Sequence, residues 1–182
     1  MNLTRLGILI AGLAASLTAL LAMAIATEQF QDGSNYTRVE TGLYVGGSVK
    51  TPPFGTQAVL NLCELEDSYK CDVHVWAKIR DSAPAPKLEW LAEQVEWIAR
   101  QRRAGRTTYV HCLNGMSRAP TVVTAYLMAK HGLTRDLALK RLREVRSVRP
   151  NPAFMDLLAD WERALKAQNE NLPRKNAKTA ND

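Results

Sequence analysis

One stretch of this sequence limits the chain to few folds. It has the pattern of a buried strand, followed by a short loop that contains glycine and then directly by a helix. The strand pattern is Thr-Thr-Tyr-Val-His at 107–111, the loop holds Gly115, and an apolar helical pattern around Pro120 ends at Gly132. In α/β proteins, ligands bind at the carboxyl ends of the strands, where such a loop begins. The stretch 111–120 is therefore the predicted functional site.

Short apolar runs and helical periodicities alternate along the rest of the chain. Runs bounded by Gly, Pro and Asp predict strands, and apolar residues that recur every three or four positions predict helices. The predicted strands are 43–47, 58–62, 73–76 and 107–111, and the predicted helices are 87–104, one from the loop to Gly132, one capped by Thr134, and 152–168. This order predicts an α/β fold with a central, mostly parallel sheet of four or five strands flanked by helices.

The two ends of the chain are predicted to lie outside this fold. Residues 6–26 are uncharged and rich in Ala and Leu, which is long enough for a helix that spans a bilayer, and small-x-small patterns fit a cleaved signal equally well. We therefore expect 1–26 to be a membrane anchor or a signal peptide, and the protein to be membrane-anchored or exported. Residues 27–36 are predicted to be a linker, 37–168 the folded domain and 169–182 a disordered tail.

Charge distribution and cysteine spacing argue against a nucleic-acid-binding protein and against a metal site. The 182 residues carry a net charge of +6, and basic clusters at 100–106 and 140–149 suit an acidic substrate or an anionic surface. No aromatic residues interleave these clusters, so nucleic acid is not a predicted partner. Cys63, Cys71 and Cys112 lack the paired spacing of a metal site, so no metal is predicted.

The loop has the chemistry of an anion cradle built around a thiol. Five residues separate Cys112 from Arg118, and a helix start follows, so backbone N–H groups can converge on one anion. These dipoles and the guanidinium stabilise the thiolate, and the planar fork of Arg118 suits two oxygens of a phosphoryl group. Ser117 can donate a hydrogen bond to the sulfur. His111 is predicted to orient the loop, and Gly115 permits its close turn.

The stretch His-Cys-Leu-Asn-Gly-Met-Ser-Arg-Ala-Pro, whose phosphate-loop positions include Leu113, Asn114 and Met116, resembles the signature of the cysteine-dependent protein tyrosine phosphatase superfamily. The likeness is to its dual-specificity branch. Leu-Tyr-Val-Gly-Gly, Ala-Tyr-Leu-Met and Arg-Pro-Asn-Pro-Ala-Phe-Met resemble the same branch, over residues 37–165. The resemblance implies an enzyme that hydrolyses phosphomonoesters through a phosphocysteine, without a metal or another cofactor.

The same resemblance implies catalytic roles for particular side chains. These are Cys112 as nucleophile, Arg118 for binding the phosphate and the transition state, Ser117 for easing departure of the thiolate, and Asp81 as general acid and base. Asp81 lies in Ile-Arg-Asp-Ser-Ala-Pro-Ala-Pro, upstream of the cysteine at the distance where such enzymes carry the acid on a mobile loop. Asp67 and Asp72 are weaker candidates for the acid, because their register fits less well.

Cys63 admits three interpretations. It can be a small buried residue, which we favour. The stretch Asn-Leu-Cys at 61–63 also resembles inositol-lipid phosphatases, in which a cysteine here forms a disulfide with the nucleophile and protects it from over-oxidation. The third interpretation is a disulfide between Cys63 and Cys71.

Other activities and two substrate classes stay open. A rhodanese or an arsenate-reducing enzyme also carries a cysteine in an anion loop, and a silent module would bind phosphate without catalysis, but the Ser-Arg pair with an aspartate in register favours ester hydrolysis. The predicted substrate is a phosphorylated protein, and an anionic phospholipid or phosphoinositide at a membrane is the alternative. Lys78, Arg80 and Arg149 could flank the pocket for either. Inositol-lipid enzymes carry lysines where this chain has Leu113 and Met116, which disfavours the lipid.

Overall fold

A five-stranded sheet and four helices form the part of the chain that the computed structural model describes, residues 35–170. The strands are β1 Tyr36–Glu40, β2 Leu43–Gly46, β3 Ala58–Asn61, β4 Val73–Trp76 and β5 Thr108–His111. The helices are α1 Leu88–Arg103, α2 Arg118–His131, α3 Arg135–Arg143 and α4 Pro152–Glu170.

The sheet places β5 at its centre. The strand order is β1-β2-β5-β3-β4, with β1 antiparallel to β2 and every other neighbouring pair parallel. All four residues of β5 and all four of β3 are buried, as is typical of parallel strands covered on both faces. The predicted α/β fold with a mostly parallel sheet is confirmed, and the carboxyl ends of β2, β3 and β5 meet at one edge.

Helix α2 occupies the interior of the domain. Every residue from Arg118 to Met128 is buried, because α2 packs against the three other helices and against β2 and β5. A helix that is buried on all sides is apolar all round, and Gly132 ends it in the left-handed conformation, at φ 63°. The rigid packing of α2 fixes the position of its N-terminus, which directly follows the cysteine-containing loop.

The boundaries of the domain differ from the predicted ones by a few residues. Strand β1 was not predicted, and Tyr36, which the sequence placed in the linker, begins it. Asn169 and Glu170, which were placed in the tail, complete the last turn of α4. The predicted segment 1–26 and residues 171–182 of the predicted tail lie outside the described residues.

The predicted location, anchored in a membrane or exported, is corrected. Among residues 35–170, no helix combines the length and the apolar character that crossing a bilayer requires. The segment on which the prediction rested is not among the described residues.

Candidate active site

The loop formed by residues 112–117 connects β5 to α2 at the carboxyl edge of the sheet, where the sequence predicted the functional site. The Cys112 N–H donates to the Gly46 carbonyl at 3.2 Å, and the Leu62 N–H donates to the His111 carbonyl at 2.9 Å. The loop is thus tied to β2 on one side and to the end of β3 on the other. Cys112 itself is 1% exposed, at the base of the loop.

The carbonyl groups of the loop are bound by donors that surround it. Leu113 accepts from the Ser48 N–H at 2.9 Å, Met116 from the Arg149 N–H at 2.7 Å, and Ser117 from the Thr121 N–H at 2.9 Å; Arg146 donates through Nη2 to Asn114 at 3.1 Å and through Nε to Gly115 at 2.9 Å. In the described part of the chain, the N–H groups of 113–117 have no protein acceptor. Backbone N–H groups left free in a tight loop make an anion-binding nest.

Gly115 is required by the close packing of this loop. Its φ is +67°, in the left-handed region that side chains with a Cβ disfavour. A Cβ at this position would collide with the backbone of Gly46 and with the guanidinium of Arg146. The close turn that the sequence predicted for Gly115 therefore also lets β2 and Arg146 approach the loop.

The guanidinium of Arg118 is held by backbone carbonyls that follow β3 and β4. Its Nη1 donates to Ile79 at 3.1 Å and to Leu62 at 3.4 Å, and the residue is 5% exposed. Its Nε lies 3.7 Å from Oδ2 of Asp81. Arg118 is therefore oriented before any ligand binds, which reduces the ordering cost of anion recognition.

Asp81 lies beside the loop and is held by two neutral donors. The Ser117 hydroxyl donates to Oδ1 of Asp81 at 2.6 Å, and Nδ2 of Asn151 donates to the same oxygen at 2.8 Å. The Asp81 side chain is 37% exposed, so a bound ester can reach it. From its sequence position, Ser117 was expected to donate to the sulfur, whereas in this structure its hydroxyl donates to Asp81. Asn151 was not among the predicted site residues.

His111 is fixed by Asp67, which lies in the loop between β3 and β4. The Nε2 atoms of His111 and His74 lie 2.9 Å and 3.0 Å from Oδ2 of Asp67. Burial disfavours the ionised carboxyl, but the hydrogen bonds and charges of the two histidines outweigh it and lower the pKa of Asp67. Asp67 is thus engaged with His111. Asp72 is exposed and makes no hydrogen bond to the loop within residues 35–170.

Cys63 lies near the other ring nitrogen of the same histidine. Its Sγ is 3.7 Å from Nδ1 of His111. Burial, and next the charge of Cys112, raise the pKa of the Cys63 thiol to about 12, so Cys63 is a thiol at neutral pH. Cys63, Cys71 and Cys112 are all free in this structure, which therefore contains neither of the disulfides considered for Cys63, with Cys112 or with Cys71. The burial of Cys63 is what we expect of a small residue in the core.

Two kinds of side chain surround the loop. Leu113 and Met116 are 54% and 42% exposed, so the loop presents apolar side chains to solvent. The Lys78 ammonium lies 5.2 Å from the centre of the Trp76 ring, on the segment that leads to Asp81. Arg149 is exposed, next to the Met116 carbonyl. No cluster of three metal-ligating side chains occurs within the described residues.

Comparison with known proteins gives concordant matches. A model of the family "Dual specificity phosphatase, catalytic domain" matches residues 48–164. Dual specificity protein phosphatase 1 of Arabidopsis thaliana is 27% identical over 161 residues, which cover 84% of this chain and 81% of that protein. Phosphatidylglycerophosphate phosphatase PTPMT1 of Arabidopsis thaliana is 34% identical over 92 residues, covering 50% of this chain and 26% of that protein.

A solved structure agrees with these sequence matches. The crystal structure of human DUSP28 superposes with a TM-score of 0.67 at 26% identity, and the match covers 72% of this chain and 98% of that one. The family match at 48–164 takes in well over half of the chain, including Asp81, Cys112 and Arg118. The chain therefore belongs to the dual specificity phosphatase catalytic-domain family and is a cysteine-dependent phosphatase of the protein tyrosine phosphatase superfamily.

Proposed function

We propose that this enzyme dephosphorylates proteins through a phosphocysteine formed on Cys112. The observation that carries the proposal is the arrangement around the loop. A buried cysteine lies at its base, with free backbone N–H groups around it. Nε of Arg118 lies 3.7 Å from Oδ2 of Asp81 beside it. This arrangement has the nucleophile, the anion binder and the proton donor that phosphoryl transfer requires.

In the first step, the thiolate of Cys112 attacks phosphorus and the bond from phosphorus to the ester oxygen breaks. The phosphoryl oxygens are bound by the N–H groups of 113–117 and by the fork of Arg118. The leaving oxygen takes the proton of Asp81 and departs as an alcohol or a phenol. Asp81 is left as the carboxylate, which the Ser117 hydroxyl and the Asn151 amide are placed to stabilise.

In the second step, water attacks the phosphorus of the phosphocysteine. The Asp81 carboxylate accepts a proton from that water, the phosphorus–sulfur bond breaks, and inorganic phosphate and the Cys112 thiolate are released. Ser117 eases this departure by turning its hydroxyl from Asp81 towards the sulfur. Residues His111, Leu113, Asn114, Gly115 and Met116 supply the backbone frame of the loop throughout both steps.

The side chains around the loop support a protein substrate. Leu113 and Met116 are exposed and apolar, so they can contact the ring or chain of a phosphorylated residue but cannot neutralise further phosphates. Lys78, Arg80 and Arg149 are exposed and basic, which suits acidic residues next to the phosphorylated one. A phospholipid substrate is the second candidate, because a phosphatidylglycerophosphate phosphatase is 34% identical over 92 residues.

Hydrolysis of an aryl phosphate by the full chain, with reductant and chelator present, tests the chemistry. We expect Cys112→Ser to lower kcat by about 10⁴-fold or more, as removal of a nucleophile does elsewhere. Cys71→Ser is the matched control, since Cys71 is a free cysteine with no hydrogen bond to the loop among residues 35–170, and it should keep wild-type activity. Equal activity of the Cys112→Ser enzyme and the wild type would contradict the proposal.

The substrate is tested by competition between two panels. Phosphotyrosine, phosphoserine and phosphothreonine peptides with acidic flanks are compared with vesicles that contain phosphatidylglycerophosphate. We expect a higher kcat/KM on the peptides, and Lys78→Ala with Arg80→Ala should lower it for acidic peptides only. A higher kcat/KM on the vesicles would replace the protein with the lipid as substrate while leaving the phosphocysteine chemistry intact.

A further inference from the structure

The side-chain amide of Asn151 makes one hydrogen bond to a helix and another to Asp81. Its Oδ1 accepts from the Phe154 N–H at 3.0 Å, and its Nδ2 donates to Oδ1 of Asp81 at 2.8 Å. Asn151 directly precedes Pro152, the first residue of α4. The oxygen is therefore a helix N-cap, with proline in the position that favours a helix start. The nitrogen faces the opposite way, towards the active site.

The capping function does not explain the choice of an amide. An N-cap needs only an oxygen acceptor, and Ser, Thr and Asp supply it about as well as Asn. Only an amide offers a second group that donates. Because Oδ1 is held by the helix, the amide cannot rotate without losing both bonds, so α4 fixes the direction in which Nδ2 points.

A second contact connects Asn151 to the same site. Its backbone N–H donates to the Ser117 hydroxyl oxygen at 3.2 Å, and that hydroxyl donates to Oδ1 of Asp81 at 2.6 Å. Oδ1 of Asp81 thus receives two donors. Within residues 35–170 no hydrogen bond reaches Oδ2 of Asp81, which lies 3.7 Å from Nε of Arg118. Oδ2 is on the side where Arg118 would hold the phosphoryl group.

We propose that Asn151 is a positioning residue that orients Asp81, so that Oδ2 carries the proton to the leaving oxygen and later accepts one from water. The inference rests on the proposed role of Asp81 as general acid and base. Asp81 lies between β4 and α1, outside any helix or strand, and 37% of its side chain is exposed. When Ser117 turns towards the sulfur in the second step, Asn151 is the donor that still holds Asp81.

The experiment separates the cap from the donor. Asn151→Ser and Asn151→Asp keep a capping oxygen but remove the donor to Asp81, and Asn151→Asp adds a like charge beside it. For the full chain, kcat/KM is measured with aryl phosphates whose phenols range from good to poor leaving groups. A general acid matters only for poor leaving groups, so a loss that grows with the basicity of the phenol reports on Asp81.

We expect Asn151→Ser to lower kcat/KM by about tenfold for poor leaving groups, the effect of one hydrogen bond, and to change it little for good ones. Asn151→Asp should lower it further. Asp81→Ala should show the same dependence on the phenol with a larger amplitude, and adding Asn151→Ser to Asp81→Ala should cost nothing more. Thr134→Ala, which removes the side-chain N-cap of α3, is the control and should not alter the dependence.

Two results would overturn the inference, and they differ. If Asp81→Ala shows the dependence on the phenol but both Asn151 variants lose activity equally for all substrates, Asn151 is only a cap. If Asp81→Ala shows no such dependence, the proposed general acid is wrong, and the role of Asn151 falls with it. Thermal unfolding of each variant shows whether α4 is intact, and Asn151→Ser, which keeps a capping oxygen and adds no charge beside Asp81, should stay close to the wild type in that measurement.

Discussion

Asp67 and Asp81 follow neighbouring strands, and the structure gives them opposite surroundings. Asp67 comes after β3, its side chain is 3% exposed, and one of its oxygens is bound by two imidazole rings. Asp81 comes after β4, its side chain is 37% exposed, and its donors are a hydroxyl and an amide. Both aspartates were candidates for the general acid, and their surroundings separate them.

The difference shows what a general acid requires beyond closeness to the nucleophile. Asp67 is sealed from solvent and held by His74 and His111, so no ester oxygen can reach it. Asp67 contacts His111, the residue directly before the loop, and holds the orientation of that ring. Asp81 has an oxygen left over and an open approach, so it can exchange a proton with a substrate. Burial and partners support Asp81 over Asp67 as the proposed general acid, whereas spacing alone only ranks the two carboxylates.

Among changes to the two aspartates, the largest expected effect is on turnover, for Asp81→Asn. The substitution keeps the shape of the side chain but removes the proton that the leaving oxygen takes, so we expect kcat/KM for poor leaving groups to fall by about 10²–10⁴-fold. Steady-state kinetics on an alkyl phosphate and an activated aryl phosphate measure it. Asp67→Asn is the matched control, and a larger dependence on the leaving group in that variant would reverse the two assignments.

The next largest effect is on stability, for Asp67→Asn. The substitution removes the charged acceptor shared by the buried imidazole of His111 and the partly buried imidazole of His74, so we expect the free energy of unfolding to fall by about 2 kcal/mol. Denaturant-induced unfolding measures it. His74→Gln, which leaves the bond between His111 and Asp67 in place, should cost less. Equal destabilisation by Asp81→Asn would show that the exposed carboxylate is as structural as the buried one.

The sequence predicts the central part of this site well because that part is contiguous. Cys112 begins the loop between β5 and α2 and Arg118 is the first residue of α2, and the position of that loop follows from the order of strands and helices. The contact of Asn151 with Asp81 could not be predicted, since two helices separate Asn151 from the loop and a lone Asn before a proline indicates only a cap. Strand β1 was missed because all five of its residues are half-buried, which leaves no alternating pattern to recognise.

Two other contacts around the loop, made by Asp67 and by Arg146, could not be predicted from the sequence either. Spacing could rank Asp67 below Asp81 as an acid, but it could not show that Asp67 binds His111, because the contact joins two segments across β3 and β5. Arg146 binds the carbonyls of Asn114 and Gly115, although the sequence placed it only in a basic cluster. Such contacts depend on how helices and loops pack on the sheet, which neighbouring residues in the sequence do not reveal.

The smallest expected effect is a dependence of stability on pH that distinguishes the buried aspartate. The histidines lower the pKa of Asp67 in the folded protein, whereas the unfolded chain has the ordinary value of about 4. A lowered pKa stabilises the fold above about pH 4, and this contribution is lost as the pH falls through the folded-state value. The difference in unfolding free energy between the wild type and Asp67→Asn should therefore shrink as the pH is lowered from about 4 towards the folded-state pKa of Asp67. Chemical denaturation at each pH measures it. A difference that stays constant would mean that the two imidazoles bind Asp67 no more strongly than an amide, and the contrast between the two aspartates would then rest on burial alone.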